Sequence, residues 1–180
     1  MSDYLIDQYR QKHLKERTYG HGPKDSEATD IRRVIFDILG DEDFTNRRVL
    51  DFGCGTSKLL EYLFPSADID KTRYDPAIPG LDAEPDGPFA FAICTDVLEH
   101  IPEDEVPAFL WNLSQLAHHV FFTVCTTRAV HKLPDGQNAH CTVKPAEWWG
   151  EKIAEEFYPH RQHPARRQHA HFFLVGSRHF

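Results

Sequence analysis

The stretch Arg48-Val49-Leu50-Asp51-Phe52-Gly53-Cys54-Gly55-Thr56-Ser57-Lys58-Leu59-Leu60 decides the fold. Val49, Leu50 and Phe52 form a short apolar run of strand length, and Leu59, Leu60 and Leu63 resume at helical spacing. Between them, Gly53 and Gly55 let the backbone turn tightly and approach a ligand with no Cβ in the way. The N–H groups of the restarting helix are expected to face that ligand. A turn of this kind, at the carboxyl end of a strand, is where open α/β sheets bind nucleotides. Many helices begin after a glycine turn, so the segments downstream must narrow the reading.

Composition sets the outer bounds. The 180 residues suggest one domain with a single core. The segment from Met1 to Arg17 is polar and charged, unlike a secretory signal, and no apolar run approaches a membrane span. Cys54, Cys94, Cys125 and Cys141 are scattered singly, without paired zinc spacing or a small-scaffold disulfide pattern. These features predict a cytosolic protein with no membrane partner. A formal net charge of -8 argues against general affinity for nucleic-acid phosphates. Arg161, Arg166, Arg167 and Arg178 nevertheless share the tail with several histidines. They read either as the solvated turn of a hairpin or as a contact for an anionic group.

Outward from the opening stretch, strands and helices alternate. Tyr4 to Arg17 reads as a helix, Tyr19 to Pro23 as a loop, and Ser26 as the cap of a second helix striped by Ile31, Val34, Ile35, Ile38 and Leu39. Ile69 to Tyr74 reads as a strand ending at Asp75-Pro76, and Phe89 to Cys94 as another. Val106, Phe109, Leu110, Leu113 and Leu116 mark a helix, and His119 to Val124 a buried strand. After a loop holding Pro134-Asp135-Gly136, a helix starts at Pro145. A hairpin then pairs Tyr158 to His163 with Ala170 to Val175. Alternation of this kind predicts a mostly parallel, doubly wound α/β sheet with an antiparallel strand at its C-terminal end.

Three segments, in order, resemble class I S-adenosylmethionine-dependent methyltransferases. Val49 to Thr56 looks like their first motif, the acidic residue plus glycine turn. Asp75 matches the acidic residue closing the second strand, where the same geometry in dinucleotide folds puts a carboxylate on ribose hydroxyls. Cys94 to Ile101 looks like the segment ending the fourth strand in many small-molecule members. Tyr74 to Gly80 and Leu133 to His140 are also similar to a compact set of bacterial and phage-associated proteins. The resemblance implies a Rossmann-like sheet and S-adenosylmethionine as cofactor. It divides the single domain, 1–180, into N-terminal helices with a lid (1–44) and a core (45–180). One departure matters. Between Asp75 and Phe89 only a proline-rich loop is available, so the third strand and its helix are expected to be reduced, with Leu81-Asp82-Ala83 as the remnant of an adenine wall.

The resemblance assigns cofactor contacts to Asp51, Gly53, Cys54, Gly55, Asp75, Pro76, Thr95, Asp96 and His100, with Tyr19 and His21 in a loop that folds over the cofactor. Asp96, Glu99 and His100 admit two readings. They cap and orient the following helix, or they resemble the metal cluster of quinone-pathway O-methyltransferases; no metal ligand is assigned. The loop from Thr126 to His140 leaves a strand on the ligand-binding edge, so its polar groups can face substrate. Of these, His140 and then His131 are the expected catalytic bases, since an imidazole titrates near neutrality. Trp148 and Trp149 read as helix packing.

The absence of an Asn/Asp-Pro-Pro-Tyr/Phe segment and of a Pro-Cys nucleophile counts against base methylation of DNA. The expected function is methyl transfer to a small-molecule oxygen or nitrogen, with nucleic acid an unlikely partner and a homodimer possible. Two alternatives stand beside it: a degenerate, scaffolding member of the fold, and a nucleotide- or nucleic-acid-modifying enzyme.

Overall fold

The computed structural model describes residues 2–15, 26–39, 44–164 and 170–180. Six strands form one sheet in the order β2-β1-β3-β4-β6-β5: β1 is Arg48–Phe52, β2 Asp70–Tyr74, β3 Phe89–Thr95, β4 Ala117–Cys125, β5 Phe157–Pro164 and β6 Ala170–Ser177. β1 pairs in parallel with both β2 and β3, and β3 with β4. β6 runs antiparallel to β4 and to β5, as the hairpin reading predicts. The helices are α1 (Asp3–Lys15), α2 (Ser26–Leu39), α3 (Leu59–Leu63), α4 (Val106–Leu116) and α5 (Ala146–Glu156). Among the described residues no helix is long and apolar enough to cross a membrane.

The central strands are apolar on both sides because helices cover both faces. On one face Leu50, Phe89, Ala92, Val120 and Phe122 pack with Leu110 and Leu113 of α4 and with Trp149 and Ile153 of α5. On the other, Val49, Phe91, Ile93 and Phe121 meet Ile31, Val34 and Ile35 of α2 and Leu59, Leu60 and Leu63 of α3. Trp149 is fully buried in the first layer, as packing predicts, while Trp148 is half-buried with Lys144 and Lys152 beside its ring.

No strand lies between Asp75 and Phe89, so β2 is the edge of the sheet, as the proline-rich connection predicts. Residues 75–81 fold back on themselves instead. Asp75 N–H donates to Leu81 O and Leu81 N–H to Ile78 O. The edge strand is only partly covered, with Lys71 to Tyr74 half-buried.

Of the basic tail, Arg178 donates twice to Ala154 O at the end of α5 and lies over the Tyr158 ring. It is therefore part of the packing rather than a free cation. The side chains of Arg161, Arg166 and Arg167, and the Tyr19 and His21 lid, lie outside the described residues.

Candidate functional site

Three carboxylates stand at or just past the carboxyl ends of neighbouring strands: Asp51 on β1, Asp75 after β2 and Asp96 after β3. The glycine turn between the first two is tied to β2 rather than open. Gly53 N–H and Cys54 N–H both donate to Tyr74 O, at 2.8 and 3.0 Å. Gly55 N–H donates to Asp75 Oδ2 at 2.8 Å, while Ala77 N–H takes Asp75 Oδ1, also at 2.8 Å. Asp75 is only 8% exposed, and its carboxylate clips the following loop onto the turn.

The helix restarts later than the glycines themselves. α3 begins only at Leu59, after a turn in which Ser57 N–H donates to Cys54 O, and Ser57 Oγ accepts from Leu59 N–H. The amides of residues 53–55 are spent on holding β1 against β2.

Gly53 is glycine for two reasons. Its φ of +79° lies in the left-handed region, and a Cβ there would stand 2.5 Å from Val97 Cγ2. Cys54 is buried, with its Sγ on Gly55 O, and burial with Asp51 nearby pushes its thiol up to about 12. It acts as a small apolar filler. Arg73, on β2, reaches the same turn and donates to Gly55 O at 3.3 Å; nothing in the sequence pattern singles it out.

Asp96 adopts φ +54°, a left-handed conformation that is uncommon for an aspartate. Thr123 of β4 holds it there. Asp96 N–H donates to both Thr123 O and Thr123 Oγ1, and Thr123 Oγ1–H returns a bond to Asp96 Oδ1 at 2.9 Å. Strain of this kind persists only where surroundings over-determine it, and it gathers at functional sites. Thr95 ends β3 half-buried just before it.

The second half of the site lies beyond Asp96. A single 3₁₀ turn, Leu98–His100, follows, and residues 139–142 are zipped onto it. Thr142 N–H donates to Glu99 O, Thr142 Oγ1 to Ile101 O and Cys141 Sγ to His100 O. Asn138 shapes the approach: its Oδ1 accepts from Ala129 N–H and His140 N–H, and its Nδ2 donates to Ala129 O. His140 is thereby brought edge-on to His100, with ring centroids 4.9 Å apart. His131 is exposed and stands outside this pair.

Helix α1 roofs His100. Tyr9 Oη–H donates to Ala139 O at 2.6 Å and contacts His100 Nδ1 at 2.9 Å, while Arg10 donates to Pro76 O and Gln8 Oε1 accepts from Asp135 N–H. Tyr9, Ala77, Leu133 and Ala139 form a small apolar cluster where α1 meets the loops after β2 and β4. This roof is α1, and the Tyr19 lid of the sequence reading lies outside the described residues. Gln8, Tyr9 and Lys12 are the buried residues of α1, and their polar character gives that face no apolar stripe to read in the sequence.

Carbonyl oxygens only accept, so the contacts fix both rings. His100 Nδ1 lies 2.7 Å from Ala139 O and His140 Nδ1 lies 2.6 Å from Thr127 O, so each Nδ1 carries a proton. Burial holds His100 down at about 4, and it stays neutral. Glu99 is fully buried. Its Oε1 accepts from Cys125 N–H at 3.0 Å, and burial together with Asp96 raises its carboxyl well above the usual range.

A sequence profile described as a methyltransferase domain matches residues 26–173. The chain belongs to the class I S-adenosylmethionine-dependent methyltransferases. Among solved structures, it is similar to the N-methyltransferase NodS from Bradyrhizobium japonicum in complex with S-adenosyl-L-homocysteine. That likeness has 12% identity and a TM-score of 0.61, covering 97% of this chain and 99% of that one. Magnesium protoporphyrin IX methyltransferase from Synechocystis with bound S-adenosylmethionine matches at 18% identity and TM-score 0.61, over 97% of this chain and 92% of that one. A small RNA methyltransferase matches at 10% identity and TM-score 0.58, over 83% of this chain and 25% of that one. No curated protein matches the sequence. At these identities the likenesses speak for the fold, and this methyltransferase shares that fold with enzymes of very different acceptors.

Proposed function

We propose that the protein transfers a methyl group from S-adenosylmethionine to an oxygen or nitrogen of a small, polar acceptor. The donor set fits the cofactor: carboxylates at three adjacent strand ends suit a ligand that carries a sulfonium, an amino group and ribose hydroxyls. S-adenosylmethionine supplies the electrophilic methyl carbon; its bond to sulfur breaks as the acceptor's lone pair forms the new bond. In this reading Asp51 and Asp96 face the methionine end of the cofactor, with Gly53, Cys54, Gly55 and Thr95 shaping its bed. Asp75 and Pro76 border the ribose. Phe52 and Tyr74, whose rings lie 4.9 Å apart at the ends of β1 and β2, replace part of the missing adenine wall.

The observation that carries the acceptor class is the placement of His100 and His140, both half-buried, just beyond Asp96, with Tyr9 of α1 over His100. Each ring keeps Nδ1 on a backbone carbonyl and so has Nε2 to offer the acceptor's proton, and positioning supplies most of the acceleration. The net charge of -8 and the roof formed by α1 favour a small acceptor over a nucleic acid. The whole chain acts as one domain, with α1 serving as the roof and α2 covering a face of the sheet.

Calorimetric titration with S-adenosylmethionine and S-adenosylhomocysteine tests the cofactor, and micromolar binding is expected. Methyl-labelled cofactor then tests acceptors, with small hydroxy and amino compounds beside RNA oligonucleotides. Silence in the titration at high micromolar cofactor would return the chain to the scaffolding alternative. Labelling confined to RNA would overturn the small-acceptor reading.

A further inference from the structure

The Glu99, His100 and His140 side chains form a group with no direct hydrogen bond among them. One ligand-type atom from each lies within 4.8 Å of the others. Both rings carry their proton on Nδ1, held to a backbone carbonyl, so each has the Nε2 lone pair to offer. Metal-binding histidines are oriented in this way, by a hydrogen bond from the far nitrogen. Glu99 supplies the third feature. Its side chain is fully buried, and its Oε2 has no hydrogen-bond partner. A buried carboxylate oxygen left alone is costly, and a cation is what would satisfy it.

We propose that Glu99, His100 and His140 hold a divalent transition-metal ion, and that an acceptor hydroxyl occupies its open coordination position. The set is two imidazoles and one carboxylate, which suits zinc and its neighbours better than magnesium or calcium. It is also the ligand number of catalytic zinc sites, which keep a position for water or substrate. Ligands about 2.0–2.2 Å from a tetrahedral metal lie roughly 3.4 Å from one another, so the site closes on the ion by small side-chain rotations. Asp96 lies outside this group, and its Oδ1 accepts from Thr123.

The inference rests on the methyl-transfer reading and narrows it to a hydroxyl acceptor. The metal takes the hydroxyl oxygen and lowers its pKa, the proton leaves to solvent, and the oxygen lone pair is left facing the donor. His140 then acts through the metal rather than as a free base. The roof helps, since Tyr9 Oη is the second acceptor for His100 Nδ1–H and fixes that ring.

The test uses the full chain, stripped with EDTA and titrated with Co2+ and Zn2+. The chain has 12 histidines, so uptake alone does not locate the ion. Wild-type protein is expected to bind one equivalent of Co2+ with the intense visible bands of a low-coordinate site, and Zn2+ should bleach them. His140→Ala and Glu99→Gln should each weaken binding at least 100-fold. His140 is half-buried on a loop, so its variant guards against a failure to fold, with circular dichroism and S-adenosylmethionine titration as checks. Uptake unchanged in His140→Ala, or no visible band, would overturn the proposal. Loss of cofactor binding in the metal-free wild type would instead strike the methyltransferase reading, so the two failures are distinguishable.

Discussion

The glycine turn and the histidine cluster occupy the same edge of the sheet, yet they are built differently. The turn is local. Residues 51–55 meet the end of β2 through a fixed set of backbone bonds, and Asp75 closes it with one carboxylate. The cluster is assembled from α1, the 3₁₀ turn after β3 and the loop after β4, which lie far apart in the chain. The turn has the amides of residues 53–55 committed to Tyr74 O and Asp75, whereas the cluster keeps two ring nitrogens and one carboxylate oxygen in reserve. A region whose backbone donors are committed gives shape and tolerates little change. A region with unspent donors and acceptors is where chemistry and specificity reside.

Gly53→Ala challenges the first half of this contrast most directly. The new Cβ meets Val97 in a left-handed backbone, and a cost of about 3 kcal/mol in stability is expected. Cofactor affinity should fall with it, and a chemical melt alongside calorimetry reads both. A variant as stable as wild type would show that the turn is pliable and the contrast overdrawn.

The cluster should reveal itself through pH, in metal-free protein. His100 is held below its unfolded value, so it favours the folded state above about pH 6.5 and that support is lost as pH falls toward 4. Glu99 is shifted up, so its folded state binds the proton longer and stability falls as pH rises above the normal carboxyl range. The two slopes oppose each other in wild type between about pH 4.5 and 6.5. Glu99→Gln should unmask a stability that rises with pH, and His100→Asn one that falls. Each slope is at most about 1.4 kcal/mol per pH unit. Urea melts across that window check the signs, and identical profiles for the two variants would refute the assigned environments.

Tyr9→Phe is the mildest intervention. It removes the bond to Ala139 O and the second acceptor of His100 while leaving the ring in place. About 1 kcal/mol of stability should go. The effect on turnover should appear in the acceptor's KM or kcat, with S-adenosylmethionine affinity unchanged. Weakened cofactor binding would mean that α1 roofs both halves equally.

Legibility in the sequence divides along the same line. Leu50, Asp51 and Gly53 sit in one uninterrupted segment, and Asp75 and Asp96 each close a strand whose apolar run is plain, so the cofactor half can be read in order. The missing third strand is equally legible, because prolines and acidic residues between Asp75 and Phe89 leave no apolar run to bury. What the residues at 53–55 do with their amides is not legible, since that depends on where β2 ends in space. Nor does the sequence mark Arg73, Thr123 or Tyr9, whose roles come from neighbours on other elements.

The one-dimensional chain therefore determined the class of fold, the family and the three acidic strand ends, because hydrophobic period and glycine turns act over a few residues. Only the tertiary structure decided that His140, out of 12 histidines, stands against His100, and that the buried Glu99 joins them. That choice rests on Asn138 and Thr142 folding one loop onto a distant turn, and hydrogen bonds across such separations leave no periodic trace in the sequence.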